Sequence, residues 1–173
     1  MNENDSERIA GLLEVAGLTR TLQVENADVV VINTCCIREN ADNKFYGHLG
    51  NLKKLKEEDP SKRILVGGCL AQKDQETIRD RAPHVDVVFG THNLERVTEL
   101  LNASDNGPIV EIVDPTPHDL DTLASETLPT RREVDHAAWL TIQTGCDNSC
   151  AFCIVPQVRG PEVSRPSVSY THL

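Results

Sequence analysis

The chain has 173 residues, a formal net charge of −10 and a hydrophobic share of 39%, which suits one ordinary domain and part of another. No apolar run approaches the roughly 18 residues that span a bilayer, and the first residues, MNENDSERIAGLL, are too polar for a secretory signal. We therefore expect a cytoplasmic protein without a membrane segment, whose six cysteines serve metal binding or catalysis rather than disulfides. The acidic balance also argues against this segment acting alone as a nucleic-acid clamp.

The spacing of apolar residues predicts an α/β chain. Helices are predicted at residues 2–18, 38–58, 72–81 and 93–102, and strands at 27–33, 63–67, 85–89 and 109–113, with a weak extended stretch at 18–24. The strands are continuous runs rich in β-branched residues, which are typical of strands covered on both faces. Strands that alternate with helices in this way form a parallel sheet with helices on both sides.

The pattern changes after residue 113. Residues 114–135 contain three prolines and many acidic residues and threonines, which predicts a linker. A new strand is predicted at 137–144. We therefore expect one domain at 1–113 and the start of a second, truncated one at 136–165. Residues 166–173 (PSVSYTHL) form an atypical tail, for which a frameshift and appended foreign sequence are the two explanations.

Three cysteines follow the predicted strand of the second domain. Cys146, Cys150 and Cys153 have the spacing C-x3-C-x2-C, which places three thiols on one tight loop. Soft thiolates favour iron–sulfur clusters, copper(I) or zinc. A structural zinc site needs a fourth ligand, and His136 and His172, the nearest candidates, lie at no usual spacing. The pattern favours a [4Fe–4S] cluster with one open iron; zinc and a loop of unrelated cysteines are the alternatives.

Two further cysteines each follow a predicted strand of the first domain. Cys35 comes after VVVINT and Cys69 after ILVGG, and the carboxyl ends of parallel strands meet at one edge, where sites form. A cluster there needs a third cysteine, which the strand expected before the first helix could supply. The alternative is that both are small buried thiols. The neighbouring Cys36 is predicted to point away and to have no function.

Several separated motifs carry a family resemblance over residues 1–165. They are Met1-Asn2-x2-Asp5-Ser6-Glu7, Asn33-Thr34-Cys35-x2-Arg38-x2-Ala41, Gly67-Gly68-Cys69-x-Ala71-Gln72, the C-x3-C-x2-C loop, Ile154-Val155-Pro156 and Arg159-Gly160. In this order they resemble the MiaB-type radical S-adenosylmethionine (SAM) methylthiotransferases, and the resemblance implies that the chain is an N-terminal fragment of such an enzyme.

The resemblance implies a flavodoxin-like doubly wound sheet that lacks its first strand, followed by the first strand and cluster loop of a radical SAM partial α/β barrel. It implies two [4Fe–4S] clusters and SAM. Cys35 and Cys69 match two ligands of the auxiliary cluster, whose third lies two residues before the position of Met1. Cys146, Cys150 and Cys153 match the radical SAM ligands.

The implied reaction is methylthiolation of carbon 2 of isopentenyladenosine next to the tRNA anticodon. Relatives in the superfamily act on threonylcarbamoyladenosine or on a ribosomal-protein aspartate, and a non-catalytic zinc module is the alternative from another class. The implied partners are tRNA, bound largely through a C-terminal β-barrel, and an electron donor such as a flavodoxin. We expect a monomer, and no activity from the fragment alone.

Four more side chains are candidates near these sites. Phe152 is expected either to pack near the adenine of SAM or to fill the core of its loop. Arg38 is expected to neutralise thiolate charge or to be merely exposed. Asn33 and Gln72 border the sheet-edge crevice, where they either donate hydrogen bonds to cluster sulfurs or satisfy backbone groups.

Overall fold

The computed structural model describes residues 2–35, 39–114 and 128–167. The helices are α1 (Asn2–Val15), α2 (Glu39–Glu58), α3 (Cys69–Asp74), α4 (Glu76–Arg81), α5 (Val97–Ala103) and α6 (Val155–Arg159). The strands are β1 (Val29–Thr34), β2 (Arg63–Gly68), β3 (Val87–Phe89), β4 (Ile109–Glu111), β5 (Gln143–Thr144) and β6 (Val163–Ser164). Short 3-10 turns lie at 24–26, 94–96 and 104–106.

The first four strands form one sheet in the order β1-β2-β3-β4, and each neighbouring pair is parallel. Helices cover both faces. On one face, Phe45 and Leu49 of α2 and Leu70 of α3 pack against Ile64 and Val66 of β2. On the other face, a second cluster combines residues of α1, α5 and the strands: Ile9, Leu65, Val87, Phe89, Val97 and Leu100. The prediction of a parallel α/β sheet is confirmed, and its form is consistent with a flavodoxin-like fold.

The helix predicted at 72–81 is two helices in the structure. Gln75 separates them with φ at +46°, in the left-handed region that interrupts a helix. Its backbone N–H donates to the Ala71 carbonyl, and this bond closes the last turn of α3. Its own carbonyl accepts from the backbone N–H of Ile78 in the first turn of α4. The break redirects the chain so that Ile78 is fully buried in the core.

Two predicted extended segments differ from the structure. Residues 18–24 form no strand. The strand predicted at 137–144 is reduced to the two residues of β5, which pair antiparallel with β6. The apolar side chains before it lack a covering layer within the described residues, and Trp139 is 58% exposed. A strand needs such a surface to bury its apolar face, so the start of a barrel is not established.

Only part of the predicted linker is described. Residues 115–127 lie outside the described residues, as does the tail from 168 onward. Residues 128–133 lie along α1: the backbone N–H of Arg131 donates to the Glu7 carbonyl at 3.0 Å, and that of Glu133 to the Glu7 carboxylate at 3.2 Å. Arg131 also pairs with Glu14. The described end of the predicted linker is therefore docked on α1.

In the described part of the chain, no helix combines the length and apolarity needed to cross a membrane.

Candidate metal centres

Cys35 and Cys69 lie at the same edge of the parallel sheet, as the strand pattern predicts. β1 and β2 pair in register from Val29 with Arg63 to Thr34 with Gly68, and each cysteine is the next residue after the last pair. Cys35 is half-buried and Cys69 is buried as the first residue of α3. Both thiols therefore follow neighbouring strand ends. Their role as cluster ligands remains a prediction, and Cys36 and Arg38 lie outside the described residues.

Gly68 makes this edge compact. Gly68 joins β2 to α3 without a loop, with φ at +93° and ψ at −167°, a conformation that is essentially restricted to glycine. A Cβ at this position would lie 2.6 Å from the Thr34 carbonyl oxygen and would also overlap the Asn33 side chain. The absent side chain is what lets the chain turn beside the end of β1, next to Cys35.

Cys69 contacts a charged group from the second half of the chain. The Nε of Arg159, in α6, lies 3.2 Å from the Cys69 sulfur. The Nη2 of the same guanidinium donates to Asp5 of α1 at 2.6 Å. Only 7% of Arg159 is exposed. Burial alone would lower the pKa of this guanidinium, but the charges of Asp5 and the Cys69 sulfur outweigh burial and raise it.

The helix that carries Arg159 is itself anchored at the sheet edge. The Thr91 hydroxyl donates to the Val158 carbonyl at 2.7 Å. The Thr91 backbone N–H in turn donates to the Gln72 side-chain oxygen at 3.1 Å. Val158 is buried. The position of α6 relative to Cys69 is thus fixed through Val158, the residue before Arg159.

Asn33 and Gln72 use their side chains within the protein. The Asn33 amide nitrogen donates to the Asn2 carbonyl and to the Ser6 hydroxyl, both at 2.9 Å. The Gln72 amide nitrogen donates to the Val113 carbonyl at 3.2 Å. Of the two roles predicted for these residues, the structure favours the structural one, because both amide groups already serve to fasten the elements around the edge.

The C-x3-C-x2-C loop lies between β5 and α6. The backbone N–H of Cys146 donates to the Gly160 carbonyl at 3.2 Å, and that of Cys153 to the Cys150 carbonyl at 3.1 Å. Cys150 and Cys153 are exposed and Cys146 is half-buried. The Phe152 ring is 96% exposed, so it does not fill the loop core. The loop presents two exposed thiols, one partly exposed thiol and an exposed aromatic ring.

Both sets of cysteines can be compared with the needs of an iron–sulfur cluster. Among the residues that the structure describes, no three His, Cys, Asp or Glu side chains are already arranged around a common metal position. The donor chemistry nevertheless fits: three thiols share one eight-residue loop, and a guanidinium faces the Cys69 sulfur, where it would balance the negative charge of a thiolate-bound cluster.

Sequence reasoning missed the pair formed by Arg159 and Asp5. Arg159 lies 90 residues from Cys69 and 154 from Asp5 along the chain. The only signal was that both residues fall within the family motifs. A contact between distant segments leaves no trace in local spacing, so it could be found only after folding placed α6 against α3.

Comparison with known proteins extends these observations. The model of the "Uncharacterized protein family UPF0004" matches residues 1–90. Three curated relatives, from Frankia alni, Mycobacterium leprae and Paenarthrobacter aurescens, are 53%, 52% and 54% identical to the chain. Each match covers 95% of the chain but only 33%, 32% and 31% of the relative, so the chain spans about a third of their length.

All three relatives are named tRNA-2-methylthio-N(6)-dimethylallyladenosine synthase. That name agrees with the methylthiotransferase resemblance carried by the motifs. Because the family model covers more than half of the chain, this protein belongs to the UPF0004 family.

Proposed function

We propose that the complete protein is a radical SAM methylthiotransferase that modifies carbon 2 of isopentenyladenosine beside the tRNA anticodon. The observation that carries this proposal is the 52–54% identity over 95% of the chain to relatives named for that product. The present residues correspond to about a third of such an enzyme. In this assignment residues 1–113 form the auxiliary-cluster domain, 114–135 the connection and 136–165 the start of the radical SAM domain.

The sheet edge supports an auxiliary [4Fe–4S] site at Cys35 and Cys69. Their strands are paired neighbours, so one cluster can reach both thiols. A third thiol would come from a further strand. β1 is paired on one side only within the described residues, and its other side opens on a groove of about 1210 Å³ between α1 and α2. A strand in that groove would end beside Cys35.

The loop at 146–153 supports the second cluster. Cys146, Cys150 and Cys153 would hold three irons and leave the fourth for SAM. Bound there, the cluster and SAM would supply the radical chemistry, with sulfur from the auxiliary site. The exposed Phe152 ring is free to cover the adenine of SAM. The residues of this chain would hold the two sites at a fixed separation, because α6 is anchored at the Cys69 edge.

The remaining parts of the proposal concern partners. With a net charge of −10, these residues offer little to attract phosphates, so most tRNA contacts would come from other parts of the enzyme. A reductant such as a flavodoxin would supply electrons. We place the enzyme in the cytoplasm because its substrate is tRNA, and we expect it to act as a monomer.

The test is replacement of all three loop cysteines by alanine in the complete protein. After anaerobic reconstitution the wild type should be brown and hold two clusters, and the triple variant should hold one and cleave no SAM. Electron paramagnetic resonance should show that SAM changes the wild-type signal and leaves that of the variant unchanged. Cys36→Ala is the matched control and should keep both clusters.

Three outcomes contradict the assignment. A colourless protein that binds zinc would support the zinc-module alternative. A triple variant that keeps two clusters, or a wild-type signal that does not respond to SAM, would remove the loop from the site. Mass analysis of modified tRNA would separate isopentenyladenosine from threonylcarbamoyladenosine as the substrate, and incubation with ribosomal protein would test the aspartate alternative.

A further inference from the structure

The buried group formed by Asp5, Arg159 and Cys69 joins three parts of the molecule. Asp5 belongs to the first turns of α1, Cys69 starts α3, and Arg159 ends α6, six residues after the last cysteine of the loop. One guanidinium uses two different nitrogens, one toward the Cys69 sulfur at 3.2 Å and one toward Asp5 at 2.6 Å. The planar fork of arginine suits this double contact.

A buried cation is costly unless its partners compensate for lost water. Arg159 is 7% exposed, and the carboxylate of Asp5 supplies that compensation. The side chain is therefore held in one orientation by Asp5, while its Nε faces the sulfur. The second half of the chain thus contributes a fixed positive charge to the sheet edge where Cys35 and Cys69 follow their strands.

We infer that Arg159 is a positioning residue of the Cys35 and Cys69 site. Its guanidinium fixes the Cys69 sulfur and raises the reduction potential of the cluster bound there. This inference rests on the proposed function. Reduction adds one negative charge to the cluster. A hydrogen bond and a positive charge at a ligand sulfur stabilise that reduced form. Asp5 has the opposite electrostatic effect, although it holds Arg159 in place.

This arrangement predicts shifts of opposite sign. Arg159→Met keeps an apolar stem but removes the charge and the donor, so the potential should become more negative. Asp5→Asn removes a negative charge and keeps an oxygen that can accept from Arg159, so the potential should become less negative. Arg159→Lys keeps the charge but lacks the planar fork that places separate nitrogens on the two partners, so it should restore part of the Arg159→Met shift. A purely structural role predicts no such pattern of signs.

The experiment uses the complete protein with the three loop cysteines replaced by alanine, so that only the auxiliary cluster remains. Its potential is measured by redox titration followed by electron paramagnetic resonance. Arg131→Met and Glu14→Gln are the matched controls. They break an ion pair between Arg131 and Glu14 of α1 that is partly exposed to solvent, and they should leave the potential unchanged.

The inference fails if Arg159→Met leaves the potential at the wild-type value, or if Asp5→Asn shifts it in the same direction as Arg159→Met. Loss of the proposed function is distinguishable, because the starting protein would then hold no auxiliary cluster at all. If Arg159→Met cannot be reconstituted, the sign of the Asp5→Asn shift and the potential of Arg159→Lys decide the question.

Discussion

Replacing Gly68 by alanine should destabilise the fold strongly at the edge that carries both cysteines. The backbone at this residue, with φ at +93° and ψ at −167°, costs a residue with a Cβ about 1–3 kcal/mol. The new Cβ would also lie 2.6 Å from the Thr34 carbonyl oxygen, and relieving such overlap in a packed region costs about 1–3 kcal/mol more. Reduced freedom of the unfolded chain offsets about 0.4–1 kcal/mol. The net loss is about 1–5.6 kcal/mol.

Two other glycines separate strain from overlap. Gly107 also has a positive φ, +137°, but a Cβ there meets no atom within 4 Å, so Gly107→Ala should cost only the strain, about 0–2.6 kcal/mol after the same offset. Gly47 lies inside α2 with open space around it, and its replacement by alanine should stabilise the chain by about 0.5–1 kcal/mol.

The assay is urea unfolding of the chain, followed by circular dichroism. The free energy of unfolding should rank Gly47→Ala above wild type, then Gly107→Ala, then Gly68→Ala. Equal losses for Gly68→Ala and Gly107→Ala would show that the close approach of β1 and β2 at the cysteine edge is not a steric constraint, and the reasoning would be wrong.

Three further predictions concern pH, cofactor binding and activity. Burial lowers the pKa of His84 below its ordinary 6.5, so the unfolded chain binds the proton more readily than the folded chain. The free energy of unfolding should therefore be constant above about pH 7 and fall as the pH drops through 6.5. Urea midpoints measured across this pH range should show the fall, and His84→Gln should reduce it. Phe152→Ala should weaken SAM binding by the complete protein about tenfold, from the loss of about 1–3 kcal/mol of stacking, while iron content stays constant; unchanged affinity in calorimetry would place the ring away from SAM. The present 173 residues, supplied with reductant, SAM and tRNA, should form no methylthioadenosine by mass spectrometry, and product formation would contradict the need for the rest of the enzyme.

The part of the fold that sequence predicted follows from local repetition. The β-branched runs that precede Cys35 and Cys69 can be buried only between two layers of helices, and parallel pairing then brings their ends together. The spacing of the three loop cysteines is equally local. For these reasons the sheet and the common edge of two cysteines were predictable without coordinates.

The parts that sequence did not predict depend on tertiary contacts. The residues before β5 are mostly apolar and were predicted as a strand, but a strand requires a partner, and Trp139 is largely exposed where none pairs with it in the described part of the chain. Gln75 breaks a helix that its neighbours would have continued. Arg159 reaches Cys69 from a helix that Thr91 and Gln72 hold at the sheet edge. Each of these outcomes depends on contacts between residues that are far apart in the sequence.

The docking of residues 128–133 and of Arg159 on α1 has a consequence for the integrity of the molecule. Asp5, Glu7 and Glu14 all take part in holding the second half of the chain, so the halves are joined by charged contacts as well as by the peptide chain. A protease cut between residues 114 and 128 should leave two pieces that co-elute in dilute buffer and separate in concentrated salt, which screens such contacts. The intact backbone then acts as a tether that keeps the effective concentration of one half high around the other.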